Sequence, residues 1–127
     1  MTKSPEAVAS PAVETVAPDG SDVRLFASGG AGFLDVARDP QWAPDGTRLA
    51  FARGTASHTS IWIADSSGAH ERRVTQAARW GFNDTDVGPA WSSDGQWLTY
   101  QSSHENCVGT TCAGKWDVFV IRADGTR

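Results

Sequence analysis

The chain has 127 residues, 39% of them hydrophobic, and a net charge of −4 from 15 acidic against 11 basic side chains. The length suits about one ordinary domain. The bases form no block, which argues against an electrostatic nucleic-acid footprint, and no apolar run approaches the roughly 20 residues of a membrane span. With 13 Gly, 6 Pro and 6 Trp but only one Met and few Lys or Glu, the composition disfavours a helical bundle and favours short strands joined by tight turns.

In chain order, residues 1–12 read as a disordered or loosely held tail. Pro5, Glu6, Ser10 and Pro11 interrupt any apolar block, so the stretch does not resemble a secretory signal. Residues 13–28 read as the last strands of a preceding unit, around 13–16 and 23–27, joined through Asp19-Gly20. Residues 29–76 read as a complete unit of four strands: a short first one at 40–43, a partly alternating, half-buried second at 48–53, a third at 60–65 and a fourth at 71–76. Residues 77–127 read as a second unit with strands at 89–92, 96–102 and 116–122 and its last strand missing. The third strands, dense in Ile, Val, Trp and Phe, are expected to be covered on both faces.

These units repeat. Pro40, Trp42, Asp45 and Gly46 recur as Pro89, Trp91, Asp94 and Gly95, each pair forty-nine positions apart, followed by Leu49-Ala50-Phe51 and Leu98-Thr99-Tyr100. Ser60 to Gly68 parallels Asp117 to Gly125 at a larger offset, which places an eight-residue insertion between Tyr100 and Asp117. Asp-Gly pairs supply the positive φ of tight hairpin turns. The expectation is an all-β partial β-propeller, about two and a half four-stranded antiparallel blades with a period near 49 residues. The aromatics at 42, 62 and 91 are expected to pack between blades rather than to bind a ligand.

The run Pro40-Gln41-Trp42-Ala43-Pro44-Asp45-Gly46 with Leu49-Ala50-Phe51, Ile61-Trp62-Ile63 and Arg73-Val74-Thr75 resembles the repeat of TolB-like propellers. The second copy departs from it at Ser93 and Thr99. The resemblance covers about residues 13–127. It implies a non-catalytic, protein-binding scaffold in a periplasmic or other extracytoplasmic compartment. The alternative is the substrate-gating propeller of a prolyl-oligopeptidase-like serine hydrolase whose catalytic domain lies outside this chain. Six to eight blades are usual in such proteins, so the sequence reads as a fragment of a longer protein, with a homo-oligomeric ring as the alternative. Its expected partners are a protein and the remaining blades of that longer chain, with no nucleic acid and no membrane span.

The strand order puts the Asp-Gly turns on one face of the blades and the segments 54–59, 76–88 and 103–115, expected to be long and irregular, on the other. Binding residues usually sit on irregular loops of a rigid scaffold, so a partner is expected on the long-loop face. Within it, Arg79, Trp80, Phe82 and Asn83 have the composition of a contact hot spot. Cys107 and Cys112 are the only cysteines. They suggest a disulfide closing the insertion, worth about 2 kcal/mol in the chain-entropy model and implying an oxidising compartment; free thiols are the alternative. His104 with the two cysteines lacks a fourth metal ligand and the usual paired spacing. Residues 83–86 read as a polar turn, not a calcium loop. There is no Gly-x-Ser-x-Gly elbow and no phosphate-binding glycine motif. No catalytic residue, cofactor site or metal site is therefore expected.

Overall fold

The computed structural model describes residues 12–27, 35–55, 58–75, 85–108 and 111–126, and the side chains of all of these except 35, 104–108 and 111–113. Every regular element among the described residues is a strand: β1 (Val13–Thr15), β2 (Arg24–Ala27), β3 (Asp35–Trp42), β4 (Arg48–Thr55), β5 (Thr59–Asp65), β6 (Arg72–Arg73), β7 (Thr85–Trp91), β8 (Trp97–Val108) and β9 (Thr111–Arg122). They form three antiparallel sheets in the orders β1-β2, β3-β4-β5-β6 and β7-β8-β9.

The two larger sheets start in the same way. Trp42 pairs with Leu49 across the Asp45-Gly46 turn, and Trp91 pairs with Leu98 across the Asp94-Gly95 turn. Each turn is closed by equivalent backbone bonds, Gly46 N–H to Ala43 O and Gly95 N–H to Ser92 O, both 2.9 Å. A further feature is shared. Both first strands are longer than the expected 40–43 and 89–92, because each continues through a bulge. The register shifts between Arg38 and Gln41 and between Val87 and Ala90. Asp39 (φ 56°) and Gly88 (φ 62°) take the left-handed conformation there, each just before a proline. A bulge accommodates the missing proline N–H, so Pro40 and Pro89 do not end their strands.

The sheets stack face to face. Val13 and Ala27 of the first sheet pack with Ala37, Leu49, Phe51 and Ala64 of the second. Ala50, Ala52, Ile61 and Ile63, on the opposite face of that second sheet, pack with Leu98, Tyr100 and Ile121 of the third. The middle sheet is thus covered on both sides. This corrects the half-buried expectation for its second strand: Leu49, Ala50, Phe51 and Ala52 are all at most 2% exposed. Alternation is lost where both faces are buried.

On β9 the expectation of two-sided cover fails. Trp116, Val118 and Val120 are 55%, 71% and 58% exposed. They alternate along one face of the strand, and among the described residues no further sheet lies on that face. The fourth strand is also shorter than 71–76. Only Arg72–Arg73 pair as a ladder with β5. Val74 N–H still reaches Ile61 O at 2.7 Å, and Ile61 N–H donates to Thr75 Oγ1 at 2.8 Å, so the edge is held by a side-chain hydroxyl.

The largest correction concerns 103–115. It is not irregular: β8 and β9 pair without a break from Trp97↔Arg122 to Val108↔Thr111. Among the described residues, β7 accompanies β8 as far as Thr85↔Ser103. The insertion therefore lengthens the β8–β9 hairpin. Segment 54–59 is also more regular than expected. β4 runs to Thr55, and the turn is closed by Thr55 N–H to His58 O (3.0 Å) before β5 begins at Thr59.

Candidate binding faces

The face carrying the Asp-Gly turns is built from one repeated unit. The carboxylate of Asp45 accepts from Thr47 N–H (3.0 Å) and Thr47 Oγ1 (2.7 Å). Asp19 does the same with Ser21 (2.9 and 2.5 Å), and Asp124 with Thr126 (2.9 and 2.7 Å). At Asp94 the hydroxyl comes from the other side, from Ser92 (2.5 Å), with Gln96 N–H at 3.0 Å. These bonds favour the ionised form. They hold all four carboxyls below their ordinary value of 3.8. The largest cause is the hydroxyl of Ser21 at Asp19, the N–H of Thr47 at Asp45, the hydroxyl of Ser92 at Asp94 and that of Thr126 at Asp124. The carboxylates thus act as internal acceptors of their own turns. The abundance of Asp serves the turns first.

Two clefts open on this turn face between adjacent sheets. One, of about 340 Å³, is lined by Val16, Asp22, Arg24, Phe26, Trp42 and Ser66 among others. The other, of about 290 Å³, is lined by Arg48, Asp94, Gln96, Arg122 and Asp124 with backbone of Gly95 and Ala123. Both bases of the second cleft are already committed. Arg48 donates to Gly95 O at 2.8 Å and lies over the Trp91 ring, 4.7 Å from its centroid. Arg122 lies over Trp97 at the same distance. A third stack, Arg53 over Trp62 at 5.0 Å, is completed by an ion pair to Glu71. These arginines bridge strands and sheets. Sequence reading missed them because each partner is distant along the chain.

The aromatics are placed by packing. Trp42, 48% exposed, meets Phe26 edge-on with centroids 6.3 Å apart. Trp62 packs against the core between the first two sheets, and Trp91 against that between the second and third. The Trp91 indole also donates to Gln41 O of the neighbouring sheet at 2.9 Å.

On the opposite face, Thr59 Oγ1 lies 2.8 Å from Thr85 Oγ1 and donates to Asp86 O at 2.6 Å, which fastens the second sheet to the third. Beside this latch stands the β8–β9 hairpin. Arg79, Trp80, Phe82 and Asn83 lie outside the described residues. Cys107 and Cys112 occupy directly opposed positions of the hairpin backbone, and their side chains lie outside the described ones. His70 Nδ1 and Asp65 Oδ2, 2.5 Å apart, form an exposed pair within the β5–β6 turn. Among the described residues no three His, Cys, Asp or Glu converge as a metal site. Among them, too, no helix is long and apolar enough to cross a membrane.

Antiparallel sheets of this strand order, stacked face to face with their hairpin turns on a common side, make a segment of a β-propeller. No protein-family model matches the chain. It is 29% identical over 93 residues to a curated Protein TolB homolog of Chlorobium luteolum, a match covering 72% of this chain and 17% of that protein. Its fold is similar to a solved structure assigned as TolB, from Agrobacterium tumefaciens, with a TM-score of 0.65 and 17% sequence identity over 91% of this chain and 39% of that one. The segment is TolB-like. It spans well under half the length of either protein it matches.

Proposed function

We propose that the chain is a non-catalytic segment of a larger extracytoplasmic propeller that serves as a protein-binding scaffold. A partner is engaged on the face opposite the Asp-Gly turns. The observation that carries this reading is the asymmetry of the two faces. The turn face is built from short turns whose carboxylates are engaged internally. The opposite face bears the long β8–β9 hairpin. Residues 79–83, with the composition of a contact hot spot, lie in the chain between β6 and β7, the connection from the second sheet to the third. Periplasmic placement is supported by the likeness to TolB proteins.

The exposed face of β9 supports the second part of the proposal. Val118 and Val120 stand where Ile61 and Ile63 stand on β5, and those two are buried against the next sheet. A further blade covers Val118 and Val120 in the same way.

Photo-crosslinking in cells tests the binding reading. A benzophenone amino acid is placed at Gly114 or Lys115 on the loop face, and at Thr47 or Gln96 on the turn face, of the full-length protein. Adducts to a protein partner are expected from the first pair. Adducts confined to the second pair would contradict the assignment of the faces.

A further inference from the structure

Among the described residues, no third strand lies beside the last five rungs of the β8–β9 hairpin, from His104↔Lys115 to Val108↔Thr111. A lone two-stranded ribbon is marginal in water, yet these strands pair on every rung from His104↔Lys115 to Val108↔Thr111. The chain's only two cysteines lie on a single rung of it, Cys107↔Cys112. Directly opposed residues of an antiparallel ladder have Cα atoms about 4.5 to 5.5 Å apart. That interval falls within the roughly 4.4–6.8 Å that a disulfide spans. Few other rungs would serve as well. A bond nearer the sheet would duplicate the hold that β7 already gives, whereas this one pins the far end.

We propose that Cys107 and Cys112 form a cross-strand disulfide that staples the projecting ribbon. This would turn the insertion into a stiff arm on the face opposite the Asp-Gly turns. The oxidant is an external disulfide, small or protein-borne. The thiolate of one cysteine attacks it and releases one external thiol. The second cysteine then attacks the mixed disulfide, closes the Cys107–Cys112 bond and releases the other thiol. Two cysteine thiols are oxidised, one external disulfide is reduced, and the two protons end on the released thiols. The inference stands on backbone register and does not require that the arm bind a partner.

The full 127-residue chain is equilibrated in a glutathione buffer of oxidising poise, quenched in acid and treated with a maleimide, and its intact mass is read. The expected product is a monomer lighter by two hydrogen atoms with no maleimide added, which takes up two maleimides after reduction. Two maleimides before reduction, a glutathione adduct or a disulfide-linked dimer would each overturn the proposal. Hydrogen exchange then reads the staple. Amides of residues 104–108 and 111–115 should exchange on the order of tenfold more slowly in the oxidised than in the reduced form. Amides of β4 and β5 should exchange equally in both. The doubly substituted chain, Cys107→Ser with Cys112→Ser, should match the reduced form in either buffer. Equal exchange of the arm in the oxidised and reduced chains would overturn the stapling role.

Discussion

Asp45 shows in one residue why an acidic composition need not mean an acidic site. Its carboxylate accepts two bonds from Thr47, and the same geometry recurs at Asp19 and Asp124, with a variant at Asp94. The consequence is a pH dependence with a definite sign. Each folded-state pKa is lowered from 3.8. The stabilisation is therefore fully present above the unfolded value near 4 and is lost as pH falls through the lower folded values. Thermal midpoints measured from pH 6 to pH 2 should be flat at first and drop below about pH 4. The quadruple Asp→Asn chain should show a shallower drop. A fall centred near pH 6 would point to a histidine instead. At Gly54 the constraint is steric: a Cβ there would lie 2.1 Å from His58 O. Gly54→Ala should cost roughly 2–4 kcal/mol, read by urea denaturation. A cost below about 1 kcal/mol would mean that the β4–β5 turn is not as tight as described.

At the scale of the element, stability lies between sheets. Phe51 is fully buried and packs with Val13 and Ala27 of the neighbouring sheet. Phe51→Ala should lose about 3–5 kcal/mol, enough to unfold a small sheet stack outright, and Phe51→Leu should recover most of it. Arg48 joins two elements by stacking on Trp91 and donating to Gly95 O. Arg48→Lys keeps the charge but loses the planar donor fork. It should destabilise by about 1 kcal/mol, nearly as much as Arg48→Gln; full rescue by lysine would assign Arg48 a purely Coulombic role. The turns and the Trp-to-Leu registers were legible because Asp-Gly pairs and aromatics recur at a fixed offset. The bulges were not. The first strands were expected to begin at Pro40 and Pro89, although the left-handed residue before each proline lets the strand run through it. The hairpin extension was missed for a related reason. Residues 104–108 and 111–115 carry no apolar alternation of the kind that marks a half-buried strand, so their pairing left no pattern to detect. The Arg–Trp stacks were invisible because nothing in a linear pattern joins Arg48 to Trp91. Segment 103–115 was expected to be irregular and its described residues form a regular hairpin, and residues 79–83 lie outside the described ones.

At the scale of the whole molecule, three sheets stack so that the middle one is sealed and the third keeps one face open. Thr99 and Gln101, exposed on that face, stand where the buried Ala50 and Ala52 stand on the middle sheet. The open face is thus an apolar stripe of Trp116, Val118 and Val120 beside a polar margin. Exposed β-branched residues on an edge strand invite association. The proposed cover of this face by another blade has a direct consequence for the isolated chain. Sedimentation equilibrium of the isolated 127-residue chain across a hundredfold range of concentration tests it most directly, with the Val118→Glu/Val120→Glu variant run alongside. Concentration-dependent association of the native chain is expected, lost in the variant while the strand signature in circular dichroism is kept. A native chain that stays monomeric throughout that range and unfolds in one cooperative step would contradict it.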